Sequence, residues 1–242
     1  MVLSLLRGRD LELGVSPSPL SSPVKGEERK KVVLSRQGRG NFVYQLTLNV
    51  AFVTLAAVAR KQADPPGKAP FKGLVELFTG DGKGKTSAAL GIALRALGCG
   101  KRVHIVYFMK GGFPYNEQKA LAHLPNVSYE RFGGCHFVNP NDVSPEDREQ
   151  ARKALAAARE AMLSGKYDVV ILDEVNIAAA WGLVDTAEVV RLIRERPENV
   201  ELILTGRYAP KELVELADLV TEMVNVKHPY DKGVPSREGI DY

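Results

Sequence analysis

The chain contains, at positions 79–86, the octapeptide Thr79-Gly80-Asp81-Gly82-Lys83-Gly84-Lys85-Thr86. An apolar run at residues 74–78 precedes it, and a helix-like stretch at residues 87–97 follows it. A strand, a glycine-rich turn, a Lys-Thr pair and a helix, in that order, make up a phosphate-binding P-loop. Glycines allow consecutive backbone N–H groups to turn around phosphate oxygens, and the helix N-terminus adds partial positive charge. The octapeptide therefore predicts a site for a nucleoside triphosphate.

Individual side chains of this loop have predicted roles. Lys85 is expected to reach between phosphates, and the Thr86 hydroxyl is expected to ligate a magnesium ion. The usual motif begins with glycine, whereas this one begins with Thr79. Lys83 places a second cation inside the loop itself.

A second element of a nucleotide site is predicted at residues 167–174, where an apolar strand ends in Asp173 and Glu174. A buried strand of this kind is typical of a Walker B element. One carboxylate then orients the magnesium shell, and the other ligates the metal or acts as a base. A strand that merely runs into a polar loop would have the same sequence. The P-loop upstream favours metal binding.

The order of the elements predicts an α/β fold. Apolar strands are expected at residues 74–78, 103–108, 127–131, 169–172, 202–205 and 219–223. Helices are expected at residues 86–97, 117–124, 145–163, 186–194 and 210–216, the third with Ser144 as its N-cap. Such alternation indicates a mostly parallel sheet with helices on both faces, as in P-loop NTPase-like (RecA-like) proteins. Ligands of these sheets bind beyond the carboxyl ends of the strands.

Three glycine-containing segments follow strands at this same edge. They hold Lys110 in residues 108–112, Cys135 and His136 in residues 133–137, and Arg207 in residues 205–207. Each segment could simply reverse the chain. A cation beside a triphosphate is useful, so a functional role is favoured for Arg207. For Cys135 and His136 the turn is favoured, because no partner spacing supports a metal or nucleophilic role.

Charge is unevenly distributed along the chain. Residues 1–70 hold 11 Lys/Arg and 5 Asp/Glu, a net charge of +6, whereas residues 71–242 have a net charge of −2. The second segment therefore lacks the basic excess of a nucleic-acid-binding protein. Residues 1–70 are expected to be a disordered basic extension, with a Pro-rich linker at residues 63–70, or the product of a start codon assigned too far upstream. Residues 71–242 are expected to form the domain.

Cysteine content and hydropathy bear on the compartment. The two cysteines, Cys99 and Cys135, lie in no metal-ligand pattern, so we expect a cytoplasmic protein without zinc. Residues 42–59 form the single candidate for a membrane segment. They contain several polar side chains, and an ordinary helix or strand is the favoured interpretation. No membrane partner is expected.

The combined motifs resemble the corrinoid adenosyltransferases of the BtuR/CobO type, over residues 72–242. The similarity lies in residues 79–89 with Arg95 and Gly98, and in the segments 108–111, 172–174, 196–197, 205–207, 215–218, 226–228 and 239–242. The Thr at position 79 and the Lys at position 83, unusual for a Walker motif, are both expected in this family.

The resemblance implies transfer of the 5′-deoxyadenosyl group of ATP to the Co(I) of a corrinoid, with release of triphosphate. The acceptor would be cobyrinic acid a,c-diamide, cobinamide or cobalamin. Lys83 and Lys85 would stabilise the leaving group, and Glu174 and Thr86, supported by Asp173, would hold Mg²⁺ or Mn²⁺. The nucleotide contacts implied are Gly80, Asp81, Gly82, Lys83, Gly84, Lys85, Thr86, Ser87, Arg95 and Arg207.

The corrinoid side of the site departs from the family. Enterobacterial members carry a Phe-x-Trp pair after the third strand, whereas this chain has Cys135-His136-Phe137 and keeps one aromatic ring. Phe137, His136 and Lys110 are the implied corrinoid contacts. The family further implies a flavoprotein reductant and a homodimer.

Two other functions are compatible with the P-loop and the paired acids. A P-loop kinase or ATPase would use Glu174 or Asp173 to activate water or an acceptor hydroxyl. A nucleotide-dependent binding module would deliver a corrinoid without chemistry.

Overall fold

A computed structural model describes residues 71–112 and 115–242. Within these ranges, six strands form one parallel sheet in the order β3-β2-β4-β5-β1-β6. The strands are β1 Val75–Thr79, β2 Val103–Tyr107, β3 Val127–Arg131, β4 Val169–Asp173, β5 Glu201–Thr205 and β6 Leu219–Glu222. The α-helices are α1 Lys85–Gly98, α2 Asn116–Leu121, α3 Pro145–Leu163, α4 Val175–Ala180, α5 Thr186–Glu195 and α6 Lys211–Leu216. The predicted extension, residues 1–70, lies outside the described residues.

Helices cover both faces of the sheet. The strands β2, β4 and β5 are buried at all five of their positions, as expected for β-branched and leucine-rich strands with a layer on each side. One face packs against α3, α4, α5 and α6, and the other packs against α1 and α2. The predicted α/β architecture with helices on both faces is therefore confirmed, and the sheet of the described residues is entirely parallel.

The longest helix, α3, begins where the sequence predicts. Ser144 Oγ accepts a hydrogen bond from Asp147 N at 3.1 Å, and Asp147 Oδ2 accepts one from Ser144 N at 3.3 Å. This reciprocal capping box, together with Pro145 in the first turn, satisfies N–H groups that no carbonyl within the helix can reach. Ala151, Ala154 and Ala158 then bring the helix close to the sheet.

One helix at the site was not predicted. Helix α4 starts directly after Glu174, whose φ of 68° turns the chain from strand to helix without a loop. A left-handed conformation is uncommon for a residue other than glycine, so this abrupt turn could not be inferred from composition. A short 3₁₀ helix, Pro229–Lys232, was also missed.

The strand order determines which side chains can meet. Strand β5 lies between β4 and β1, so the carboxyl ends of these three strands are neighbours at one edge of the sheet. Because all strands are parallel, the loops that follow β1, β4 and β5 share this edge.

The structure also bears on the membrane question. In residues 71–112 and 115–242, no helix has the length and apolar character needed to cross a bilayer. The segment 42–59 lies outside these ranges.

Candidate active site

The glycine-rich loop connects β1 to α1 and packs against the chain that leaves β6. Gly82 N donates a hydrogen bond to Met223 O at 2.6 Å. A Cβ atom at Gly80 or Gly82 would lie 2.5 or 2.7 Å from that same carbonyl oxygen, so neither position has room for a side chain. Gly84 has a φ of 124° and directly precedes α1. The three glycines thus allow a tight turn that ends at a helix N-terminus.

Lys85 lies inside this loop. Its Nζ donates hydrogen bonds to Gly80 O and Gly82 O, each at 2.7 Å, and the residue is buried. Burial lowers the pKa of Lys85, whereas the negative charge of Glu174 opposes that shift. The ammonium group is therefore held by two carbonyl groups of the loop.

Asp173, at the end of β4, is fully engaged by neighbouring side chains. Its Oδ1 accepts a hydrogen bond from Thr205 Oγ1 at 2.7 Å, and its Oδ2 accepts one from Lys110 Nζ at 2.6 Å. Asp173 and Lys110 are both buried. Burial by itself would lower the pKa of Lys110, but the charges of Asp173 and Glu174 outweigh it and raise the pKa. Lys110 therefore neutralises a buried carboxylate.

Glu174 is the acid that faces the open side of the site. Its backbone N donates to Thr205 Oγ1 at 3.0 Å, while its side chain remains 24% exposed. Glu174 Oε1 lies 4.0 Å from Lys110 Nζ. Burial first, and then the charge of Asp173, raise the pKa of Glu174, and the cations Lys110, Lys85 and Arg207 oppose that shift. A divalent cation bound to Glu174 would offset the repulsion between the negative charges of Glu174 and Asp173.

A cavity of about 1120 Å³ is lined by the glycine-rich loop, Lys85, Lys110 and Glu174. Its volume is larger than that of most single-ligand pockets, so a nucleotide and part of a second molecule can share it. Many of the predicted site residues lie in its wall: Gly82, Lys83, Gly84, Lys85, Thr86, Ser87, Lys110, Phe137, Glu174 and Arg207.

Some predicted residues lie elsewhere. Arg95 is exposed on the last turn of α1, ten residues beyond Lys85 and so about 15 Å further along the helix axis. Because α1 runs away from the loop, Arg95 does not line the cavity, and its assignment as a nucleotide contact stays a prediction. His136 does not line the cavity, because its Nε2 lies 3.1 Å from Asp147 Oδ1 at the start of α3. Gly80 and Asp81 belong to the loop but lie outside the cavity wall.

A large part of the cavity wall was not predicted from the sequence. Residues 224–230, 234–237 and 239–242 line it, as do Tyr115 and Asn116. Lys83 Nζ donates a hydrogen bond to Ile240 O at 2.9 Å and forms an ion pair with Asp241. Among these unpredicted wall residues, only 226–228 and 239–242 belong to the segments that resemble the family. The segment 239–242 has no apolar periodicity that would have predicted its position.

The fold and the site are those of an α/β protein with P-loop NTPase-like architecture. A model of the family ATP:corrinoid adenosyltransferase BtuR/CobO/CobP matches residues 71–242, and the chain belongs to this family. The resemblance inferred from the sequence is therefore confirmed. With it, the prediction of an enzyme of the transferase class is confirmed.

Individual proteins similar to this chain carry the same family name. The chain is 37% identical over 171 residues to the corrinoid adenosyltransferase of Escherichia coli K12, covering 71% of this chain and 86% of that protein. A corrinoid adenosyltransferase of Sinorhizobium sp. is 36% identical over 173 residues, covering 71% and 81% of the two chains. The corrinoid adenosyltransferase CobA of Salmonella typhimurium is 34% identical over 171 residues, covering 71% and 86%. Nothing in these similarities supports a kinase or ATPase.

Proposed function

We propose that this protein transfers the 5′-deoxyadenosyl group of ATP to the Co(I) centre of a corrinoid and releases inorganic triphosphate. The acceptor is cobyrinic acid a,c-diamide, cobinamide or cobalamin. One observation carries the proposal: the glycine loop with Lys85, the carboxylate of Glu174 and the guanidinium of Arg207 line a single cavity. That cavity has room for a nucleotide and for the reacting face of a larger acceptor.

The reaction needs charge stabilisation more than proton transfer. The electron pair of Co(I) attacks C5′ of the ribose and forms the Co–C bond, while the C5′–O bond breaks. Its electron pair leaves on the triphosphate oxygen, and the cobalt becomes formally Co(III). No proton moves in this step, so no general base is required.

The loop suits a departing triphosphate. Lys85 is already fixed by two backbone carbonyls of the loop, so little reorganisation is needed when negative charge accumulates. Arg207 lies in the wall of the same cavity. The N–H groups at the start of α1 add partial positive charge. Lys83 adds a further cation at the mouth of the loop.

The oxygen donors fit a magnesium or manganese ion. Mg²⁺ prefers oxygen ligands and takes only one or two from protein carboxylates, with phosphates and water completing its shell. Thr86 and Glu174 would be the protein ligands. Asp173 has both oxygens engaged by Lys110 and Thr205, so it would support them. When bound, the ion neutralises charge on the triphosphate.

Phe137 is the residue we assign to the corrinoid. It lies in the cavity wall with its side chain largely exposed. A flat aromatic ring presents an apolar surface to a macrocycle. His136 and Lys110 are each engaged elsewhere, by Asp147 and Asp173, so we give Lys110 the role of holding Asp173.

The test is an anaerobic assay with ATP and chemically reduced corrinoids, in which adenosyl–cobalt absorbance and triphosphate are followed together. We expect equal amounts of both products. Release of ADP or phosphate without dependence on corrinoid would contradict the proposal. So would stoichiometric corrinoid binding with no triphosphate formed.

Four further proposals follow the family and the sequence. We propose a flavoprotein reductant, a homodimer, a cytoplasmic location and a catalytic domain made of residues 71–242. Both cysteines are exposed free thiols, which suits a reducing compartment.

Sedimentation analysis tests the dimer, and activity of a chain starting at residue 71 tests the domain. Cobalt reduction by a reduced flavoprotein tests the electron donor.

A further inference from the structure

The end of the chain forms a hydrogen-bonded turn, residues 237–242, which we call the C-terminal turn. Arg237 donates to Asp241 Oδ2 from its backbone N at 2.8 Å and from its Nε at 3.0 Å. Gly239 N donates to Tyr242 O at 2.8 Å. The carboxylate of Asp241 is thereby oriented by its own segment.

The C-terminal turn is attached to the glycine loop. Lys83 Nζ donates to Ile240 O at 2.9 Å and pairs with Asp241 Oδ1. On the other side, Asn116 Nδ2 donates to Tyr242 O at 3.0 Å. All of these residues belong to the cavity wall. The turn therefore spans the cavity from the loop to the start of α2.

The contacts of Asp241 are those that a phosphate oxygen would make. One carboxylate bridges two cations, Arg237 and Lys83, through charge-assisted hydrogen bonds. These bonds, the one from Arg237 first, hold the pKa of Asp241 well below its usual range, so the group is negatively charged at neutral pH. The side chain of Lys83 is 44% exposed and that of Asp241 is 22% exposed. An ion pair open to water in this way contributes little net free energy, and a multiply charged anion can replace it at small cost.

We propose that Asp241 competes with the triphosphate for Lys83 and Arg237, which makes Arg237 a further triphosphate-binding residue and the C-terminal turn a displaceable strap. The inference rests on the proposed function, which brings triphosphate to the glycine loop. A carboxylate and a triphosphate cannot share the same two cations without repulsion, so one leaves as the other arrives. Return of the turn to Lys83 then favours departure of the triphosphate product.

The test measures binding of inorganic triphosphate to the full chain by calorimetry, without corrinoid. Asp241→Asn is expected to bind it about two- to fivefold more tightly, the range expected when one exposed ion pair is removed from competition. Arg237→Gln is expected to bind it more weakly, and Arg237→Lys to recover part of the loss. Glu238→Gln is the matched control, because it removes one negative charge three residues from Asp241 and keeps the Lys83 contact. Unchanged or weaker binding by Asp241→Asn, or unchanged binding by Arg237→Gln, would overturn the proposal.

A double-mutant cycle separates competition at Lys83 from a general charge effect. In a Lys83→Gln chain, the tightening caused by Asp241→Asn is expected to shrink, because the contested cation is gone. If the full tightening persists there, the proposal is overturned. Thermal unfolding of each variant checks that the fold is retained. Triphosphate affinities that change as expected, in a protein that forms no adenosyl–corrinoid, would instead contradict the proposed function.

Discussion

Lys110 and Asp173 form a buried ion pair, with Nζ 2.6 Å from Oδ2, that links the exit of β2 to the end of β4. Thr205 at the end of β5 holds the other oxygen of the same carboxylate. The two acids at the end of β4 therefore differ in their surroundings. Asp173 is neutralised within the protein, and Glu174 remains the carboxylate available to a ligand.

Removing the cation of this pair is expected to destabilise the protein. Lys110→Met leaves Asp173 buried and unpaired, which costs about 3–5 kcal/mol. A loss of that size lowers the midpoint of thermal unfolding by roughly 6–20 °C for a domain of this length. Calorimetry or circular dichroism measures it.

The matched control is Lys153→Met, because Lys153 is exposed and lies 3.9 Å from Glu149 in a helical surface pair. Its effect should stay below about 0.5 kcal/mol. Adding Asp173→Asn to Lys110→Met should recover part of the lost stability. Equal effects of Lys110→Met and Lys153→Met would show that the buried pair is not the cause.

Lys85→Ala is expected to remove most of the activity. Loss of one preorganised cation at a developing negative charge lowers kcat by about 10²–10³. Arg95→Ala is the matched control on the same helix, since Arg95 lies on the last turn of α1. We expect its KM for ATP to stay within about twofold of the wild-type value, a change worth less than 0.5 kcal/mol. A large rise in that KM would instead support Arg95 as a nucleotide contact.

Glu174→Gln is expected to weaken the use of the metal–nucleotide complex. A neutral amide is a poorer ligand for a hard cation than a carboxylate, so the Mg²⁺ concentration for half-maximal activity should rise about tenfold or more. Kinetics over a Mg²⁺ series measure this. Glu212→Gln, at an exposed position in the first turn of α6, is the control and should follow the wild-type curve. Wild-type Mg²⁺ dependence in Glu174→Gln would remove Glu174 from the metal site.

A pair of acids away from the site makes stability depend on pH. Burial, with a hydrogen bond and the charge of Glu201, raises the pKa of Glu76 from 4.5 to about 7. Between about pH 4.5 and 7, the folded state therefore keeps a proton on Glu76 that the unfolded chain has already lost. The stabilisation from this group is full below pH 4.5 and is lost as the pH rises to about 7.

Glu76→Gln should remove the loss of stability that ionisation of Glu76 causes at high pH. We expect a higher unfolding midpoint than wild type at pH 8, by a few degrees, and a smaller difference at pH 5. Glu160→Gln, at an exposed position on α3, should shift the midpoint equally at both pH values. The same shift at pH 5 and pH 8 in Glu76→Gln would show that the acid pair does not titrate as described.

Local sequence signals predicted the strands and most helices well. Apolar runs and capping residues are properties of short segments, so the strands were placed within a residue or two, and α3 was placed from Ser144 onward. The positions of the glycine-rich loop and the Asp173–Glu174 pair were also predicted correctly, because each motif lies directly at the end of a strand. Helix α4 was missed, since its start depends on the left-handed backbone of Glu174.

The remaining features depend on distant contacts. His136 pairs with Asp147 across a turn, and Lys83 meets Asp241 across 158 positions of the chain. Neither partner can be inferred from spacing, because the fold alone brings them together. The distance of Arg95 from the loop could not be predicted either, because it depends on the direction in which α1 leaves the loop.

The hydrogen bond from Gly82 N to Met223 O has a consequence for how the protein is made. The loop takes its shape from two segments that lie far apart in the chain, and the second one is synthesised long after the first. A nascent chain that has not yet released residue 223 from the ribosome lacks one wall of its own nucleotide cradle. Met223 directly follows strand β6, which pairs with β1. Competence to hold ATP is thus acquired only after Met223 has left the ribosome and β6 has joined β1.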